Sequence, residues 1–434
     1  MANYIAEVLW SPLLSLIYLE IGILLLFSSR FIVWKRAIPI FLTYINRRES
    51  DSKGKIISHR KAIFTSIGAQ IGVGNIAGVA TAVHLGGPGA IFWMWISAML
   101  GMTFRMVAVH LSIKEQSTVD ESSPLFASPF GYLERYLPRS WGWIPKAFAV
   151  LTILGGVIGA NLIQSNSVSH ALHGQFIFPN LIVALALTML VAAVIIGGFQ
   201  NIVKYCAAIA PWMVSLYLLA GFAIIVFNPG KAIEALGSII YYAFTPYSVG
   251  GGVVAYSLQQ TLQYGTARSV FSHASGTGMS TFLFTEDSKV SAYMAAITPI
   301  IDTLIICTTT GLVILIGMSW QWETGANLAT LSFASSLGHI GQIIVVISLV
   351  IFAFTSIIAY YYFSQRCFEY LGGENILLFR TLYLVPTFMG PFLSVRFAWT
   401  LGDIITGLAL LFHLVPLTYI FLFKRREIMA ELSA

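Results

Sequence analysis

Long apolar runs alternate with short polar segments from residue 11 to residue 423. Each run has the roughly 20 residues needed to cross about 30 Å of hydrocarbon. The pattern predicts about eleven membrane helices, near 11–34, 60–85, 88–112, 143–171, 179–199, 205–228, 231–263, 289–318, 339–366, 376–393 and 396–423. No polar stretch is long enough for a separate soluble domain, so an all-α polytopic membrane protein is expected. The first run, near Pro12 to Phe27, has no basic residue before it and no small-residue cleavage site after it. It reads as a helix rather than a signal peptide.

Composition agrees with that pattern. Of 434 residues 57% are hydrophobic and 10% charged, with a mean hydropathy of +0.81, so the charged coat of a soluble domain is missing. Charge adds orientation. With the loop after the first helix placed inside, all of the 24 Lys and Arg except Lys231, Arg396 and Arg105 fall on the cytoplasmic side. Arg268 is assigned to a cytoplasmic loop in this scheme. The N-terminus then faces out and the C-terminus in, and the net charge of +6 reflects an anionic membrane face rather than a nucleic-acid partner. The loop at 35–60 reads either as an amphipathic helix on that face or, at "NRRESDSKGK", as exposed turn.

Two spans carry residues that weaken helices. The second contains "GAQIGVGNIAG", with Gly68, Gly72, Gly74 and Gly78. Small residues at that spacing let helices approach closely, and that reading stands about even with a binding role. The "GVGN" segment before Asn75 tips the balance toward an interrupted helix. The seventh span shows the same feature in "YYAFTPYSVGGGVVAYSLQQ", through Pro246, Gly250, Gly251 and Gly252. Interrupted helices at matching positions of two halves point to the binding site of a secondary transporter. At a break, half-helix N-termini present amides to an anion, and freed carbonyls can coordinate a cation. Spans two to six and seven to eleven then form two repeats of odd length, hence inverted, with the first span as an extra helix. The expected division is 1–59 for the extra helix and its loop, 60–228 and 229–423 for the repeats, and 424–434 for a cytoplasmic tail.

The block "VGNIAGVATAVHLGGPGAIFWMWISAMLGM" (73–102) resembles the most characteristic segment of the alanine or glycine:cation symporter family. Further agreement lies in "NLIQSNSVSHAL", "AFTPYSVGG", "YGTARSVFS", "IDTLIICTTTGLVIL" and "IFAFTSIIAYYYFSQRCFEYL", which together cover most of 60–371 in the family's order. The resemblance implies a LeuT-type fold of two inverted five-helix repeats. It implies symport of a small neutral amino acid such as alanine or glycine, coupled to sodium or less often to protons, in a prokaryotic plasma membrane.

The resemblance also carries residues over. It implies a carboxylate held by the amides of Val73 and Gly74, with Asn75 as a polar lining, Gln164 facing the substrate, and Phe244, Thr245 and Gly250 to Gly252 on the opposing broken helix. Tyr360 stands at a pocket position where the family is tryptophan-like. For sodium it implies carbonyls of Gly68, Ile71 and Phe352 with the hydroxyls of Thr355 and Ser356. Without the resemblance, back-bonding to the preceding turn would be favoured for Thr355 and Ser356 by roughly two to one. The chain departs from the family at Val73, where threonine is usual. Within "SHASGTGMST" it departs at His273 and Ala274, and in the third span at Ala108, where glutamate is usual.

Ionisable groups inside spans are functional candidates because even a modest estimate puts a central charge at about 2.5–3.5 kcal/mol. Asp302, on a hydroxyl-rich face, and Arg105 and His273 are candidates for coupling or gating. Structural pairing is an equal reading for Asp302, inward snorkelling for Arg105 and a polar lining for His273. Glu20 belongs to the extra helix, and Asp403 lies near the outer end of the last span. His170, His173 and the three cysteines lack metal-ligand or disulfide spacing. No P-loop or nucleophile–base arrangement is visible, so neither ATP-driven transport nor an enzyme is expected, and no cofactor beyond the coupling ion. A monomer is expected. The competing class is a solute sensor or channel that keeps the fold without coupling.

Overall fold

The computed structural model describes residues 6, 8–10, 12–45, 57–249 and 254–433. Among these the chain is helical apart from one two-stranded hairpin. By length and hydropathy six helices can cross a membrane, or up to eight if each of two bent pairs is one span. Asn180–Ile195 and Ile376–Phe392 are shorter apolar helices.

Helix α1 (Pro12–Ser28) is shorter than its apolar run. A corner with Arg30 and Phe31 at φ 53° and 57° ends it. Helix α2 (Ile32–Tyr44) leaves at 80°, so part of the 35–60 segment is helical. Ser58 Oγ caps α3 (His59–Gln70) by accepting from Lys61 N. The chain then extends through Gly72, makes a 3₁₀ turn at Val73–Asn75 and resumes as α4 (Ala77–Gly86), a bend of 64°. Glycine is required at 72 by crowding, because a Cβ there would lie 2.6 Å from Gln164 Nε2 and 2.7 Å from Ser356 Oγ. After a tight turn at Gly87 (φ 72°), α5 (Ala90–Gln116) runs through the centre of the molecule.

Helices α6 (Phe130–Tyr136), α7 (Ile144–Leu154) and α8 (Ile163–Phe176) follow, α7 and α8 being joined by a π-helical segment, Gly155–Leu162. Next come α9 (Asn180–Ile195) and α10 (Gly198–Phe227). Leu219, Phe222 and Phe227 on α10 are exposed, as suits a surface solvated by lipid.

The seventh span expected at 231–263 is not one helix. Helix α11 (Pro229–Tyr241) is followed by β1 (Tyr247–Val249) and β2 (Val254–Tyr256), and α12 (Leu258–His273) starts anew. Pro246 has no N–H for a helix, and Ser257 with Gln260 forms a capping box that restarts one. Pro246 is exposed between a turn and β1, and Gly250 to Gly252 lie outside the described residues. The interruption in this half lies further on, where Ala274, Gly276 and Gly278 take φ of 50°, 89° and 73° before a 3₁₀ turn at Met279–Phe282. Left-handed backbone cannot continue an α-helix. Arg268 accordingly sits within α12 and is buried, not in a cytoplasmic loop.

Helices α13 (Ser288–Pro299) and α14 (Thr308–Gly317) are joined by a second π segment, Ile300–Cys307. The long α15 (Gly325–Tyr370) is broken by non-helical Gly338, so its membrane part begins where the ninth span was expected. Helix α16 (Ile376–Met389) leads to α17 (Val395–Ser433), which runs well past residue 423.

Side chains from two other helices hold the second break. Arg105 of α5, fully buried, donates from Nε to Ser275 Oγ at 3.0 Å, from Nη1 to Thr298 Oγ1 at 2.8 Å and from Nη2 to the His273 carbonyl. His413 of α17 reaches the Gly276 carbonyl at 2.6 Å. These bonds satisfy carbonyls that the broken helix releases, which hydrocarbon could not do. Arg105→Gln is expected to lower stability in detergent by about 2 kcal/mol, with Arg105→Lys rescuing little because the fork is lost. An unchanged unfolding temperature in both variants would remove the clamp from the account.

Candidate functional site

The two breaks face each other. A Cβ at Gly74, in the first break, would lie 3.1 Å from Phe271 Cδ1 and 3.4 Å from Ser272 Cα, at the end of α12. Asp302, on the second π segment, ties the two together. Its Oδ1 accepts from Asn75 Nδ2 at 2.7 Å, and its Oδ2 accepts from Ser272 Oγ and from Thr303 Oγ1, each at 2.8 Å. Thr310 Oγ1 donates to the Asn75 carbonyl at 2.8 Å and contacts Tyr217 OH at 2.8 Å. Asp302 makes no ion pair among the described residues, and three donors surround its buried carboxylate. Asn75 therefore points into this structural node, and its Oδ1 also accepts from Gly72 N at 3.1 Å.

A cavity of about 50 Å³ lies on the other side of the first break. Gly74, Gln164, Tyr360 and Ser356 line it, joined by Gln70 and by Phe271, Ala274 and Thr277 from the second broken helix. No charged side chain is among its lining residues. Val73 joins this set through its amide, which donates to Gln164 Oε1 at 2.9 Å. One side-chain amide oxygen thus sits where the sequence places a carboxylate oxygen.

Phe244 and Thr245 lie elsewhere. Phe244 is exposed and packs on Phe92 and Trp93, with ring centroids 5.0 and 6.1 Å away, while Thr245 Oγ1 donates to the Tyr241 carbonyl at 2.7 Å. The turn places both beside the start of α5, away from the cavity. Gly250, Gly251 and Gly252 lie outside the described residues.

The oxygens assigned to sodium come together in part. Ser356 Oγ donates to the Ile71 carbonyl at 3.4 Å, which joins α15 to the end of α3. Thr355 Oγ1 donates back to the carbonyls of Ile351 and Phe352, each at 3.2 Å. Gly68 sits where α3 meets α10, its Cβ position 3.2 Å from the Cys206 carbonyl. No group of three or more His, Cys, Asp or Glu could hold a metal among the described residues. His273 is buried and its Nδ1 accepts from Ser275 N at 2.9 Å, a role in holding the break.

A larger vestibule, about 860 Å³, has Trp399, Arg268 and Asp403 among its lining residues. Phe271 lines the small cavity and Trp399 the vestibule, and their rings meet at 5.0 Å. Arg268 stacks over Trp399 at 4.9 Å and donates from Nη2 to Asp403 Oδ2. Asp403, read from the sequence as a residue near the membrane interface, is half of a mostly buried ion pair instead.

Several residues here escaped the sequence reading. Gln70 ends α3 and its buried Oε1 has no hydrogen-bond partner among the described residues. A polar residue just before the glycines was the only available signal. Phe271, Thr277 and Trp399 gave none, because aromatic and hydroxyl residues are ordinary in membrane helices. Of the asparagines in the "NLIQSNSVSHAL" block, Asn161 instead anchors the C-terminal part of α16 and Asn166 the turn after it. Thr387 Oγ1 donates to Asn161 Oδ1 at 2.6 Å, and Asn166 Nδ2 donates to the carbonyls of Gly390 at 2.9 Å and Leu393 at 2.7 Å.

Comparison with known proteins fits this geometry. The sodium/alanine symporter AgcS of Methanococcus maripaludis is 34% identical over 432 residues, covering 96% of this chain and 93% of that protein. An uncharacterized transporter of Haemophilus influenzae is 35% identical over 391 residues, covering 88% and 85%. The probable sodium/glutamine symporter GlnT of Bacillus subtilis is 30% identical, covering 95% and 86%. Among solved structures, MhsT in complex with L-phenylalanine matches 88% of this chain and 93% of its own at a TM-score of 0.57 and 16% identity. A manganese transporter of Eremococcus coleocola matches 82% and 78% at 0.55 and 14%. These likenesses show a LeuT-type transporter fold. The family model described as the sodium:alanine symporter family matches residues 1–430, and the chain belongs to that family of cation-coupled amino-acid transporters.

Proposed function

We propose that the protein imports a small neutral amino acid, alanine or glycine, together with sodium. One observation carries this reading: the small, uncharged cavity between the two breaks, whose walls are Gly74, Gln164, Tyr360, Ala274 and Thr277. A cavity of about 50 Å³ has room for only a few water-sized groups. Walls without a charged side chain favour a solute whose own charges balance, since a lone ion would lose its hydration uncompensated.

In this reading the substrate carboxylate takes the place of Gln164 Oε1 at the Val73 and Gly74 amides, close to the N-terminal end of α4. Gln70 Oε1, buried without a partner among the described residues, accepts from the substrate ammonium. Asn75 acts from behind, through Asp302, by fixing the shape of the first break.

Sodium would bind at the carbonyls of Ile71, Gly68 and Phe352 and the hydroxyls of Thr355 and Ser356. Both hydroxyls donate their hydrogens to carbonyls, which leaves lone pairs for a cation. The ion then joins α3 to α15 across the wall of the substrate cavity, so each solute favours the arrangement that the other needs. The vestibule opens outward, with the Phe271–Trp399 contact and the Arg268–Asp403 pair closing it from the cavity. Residues 60–228 and 229–423, the latter with its first broken helix at 258–282, act as the two repeats that rock about this site. The expected setting is a plasma membrane crossed about eleven times, with the C-terminus in the cytoplasm and the protein monomeric.

The test is uptake of labelled alanine and glycine into proteoliposomes under an inward sodium gradient, a proton gradient or none. Accumulation is expected with sodium alone; accumulation with protons alone would replace the coupling ion, and none at all would sink the symport reading. Gly74→Leu, which drives a side chain into Phe271, is expected to abolish alanine binding while the protein stays folded. Unchanged affinity by calorimetry would exclude Gly74 from the site. Gln70→Leu is expected to weaken alanine binding about tenfold, as for a hydrogen bond to a charged group. An equal loss of affinity for sodium measured alone would show that Gln70 acts on the fold and not on the ammonium.

A further inference from the structure

The corner between α1 and α2 and the far end of α17 enclose a cleft of about 790 Å³, remote from the transport cavity. We propose that this cleft binds the phosphate headgroup of an anionic phospholipid. Three tertiary bonds hold its walls. Arg425 Nε donates to the Ser28 carbonyl at 2.9 Å, and the Leu432 carbonyl accepts from Arg36 Nη1 and from Tyr293 OH, each at 3.1 Å. Helix α17 therefore continues past its apolar part because its end is fastened across α2 and α13.

Charge selects the occupant. Arg30, Lys424, Arg425 and Arg426 line the cleft, and Glu427 is its one acidic lining residue. That carboxylate is already paired with Lys114 Nζ at 2.6 Å and Lys424 Nζ at 3.2 Å. Arg30 and Arg426 make no ion pair among the described residues, and Arg425 uses only Nε on Ser28. Three arginines thus line one cleft without an ion pair among the described residues. Guanidinium forks match phosphate oxygens two at a time.

The surroundings select a lipid over a free phosphate. Exposed Leu422 and Phe423, the latter 71% exposed, line the cleft with the arginines, and exposed Phe27 and Trp34 pack on Phe31 at the α1–α2 corner. Apolar side chains next to a basic cleft at the end of membrane helices fit acyl chains below a headgroup at the leaflet surface. The basic residues counted in the sequence as an orientation signal thereby acquire a specific partner.

Native mass spectrometry of the full chain in neutral detergent tests this, with phosphatidylglycerol and phosphatidylcholine of identical acyl chains as probes. One phosphatidylglycerol retained in preference to phosphatidylcholine is expected. Arg30→Gln with Arg426→Gln, which spares the Arg425–Ser28 bond, should lower that retention about fivefold per arginine. The control pair Arg139→Gln and Lys204→Gln, exposed elsewhere, should leave it unchanged. Should the double variant unfold, Arg426→Gln alone carries the test with a single fivefold loss. Equal retention of the two lipids, or equal losses in variant and control, overturns the proposal. Displacement of the lipid by millimolar glycerol phosphate would overturn the choice of a lipid and assign the cleft to a soluble phosphate.

Discussion

A buried carboxylate that must be hydrogen-bonded organises this protein. Asp302 lies where hydrocarbon and packed side chains leave it no water, and it draws donors from three directions: Asn75 in the first break, Ser272 at the end of α12 and its neighbour Thr303. Asn75 is the one side-chain donor to Oδ1 among the described residues, so removing it would strand that acceptor in a buried interior. The two broken helices are thus held at one relative placement by the demand of a single charge, and the cavity on their other side inherits its shape from that demand.

The same rule explains the second break. An interrupted membrane helix needs partners for the carbonyls it releases. Arg105 reaches the His273 carbonyl and His413 the Gly276 carbonyl, from helices far apart in the chain. The family's usual glutamates at Ala108 and Ala274 are missing, yet Arg105 does not go unpaired, because Ser275, Thr298 and a backbone carbonyl take its hydrogens. Ala274 lies on the wall of the small cavity, whose lining side chains are all neutral.

Around these fixed polar points the packing is uneven. Phe271 of the cavity wall meets Trp399 of the vestibule wall, which also carries the Arg268–Asp403 pair. Behind the cavity, Phe148, Phe130 and Phe282 pack in continuous contact with Tyr132 and His413.

Much of this was legible from the chain alone. Apolar runs of membrane length, the distribution of Lys and Arg and the "GVGN" interruption are local signals, and each depends on what water or lipid does to nearby residues. The last of them located the break in the second span at Gly72 and Gly74, whereas Gln164 was singled out only by the family resemblance. The second break was misplaced because Pro and Gly mean the same thing locally in a surface turn and in a broken helix. Pro246 lies between a turn and the first strand of a hairpin, whereas at 274–278 a less conspicuous sequence is interrupted. Only tertiary structure separates the two, since a break survives in a membrane interior only where distant side chains such as Arg105 and His413 satisfy its backbone. Partner choice is likewise non-local, as Arg268 with Asp403 and Asn75 with Asp302 illustrate: sequence determined that polar groups lie within the membrane, and folding decided which of them meet.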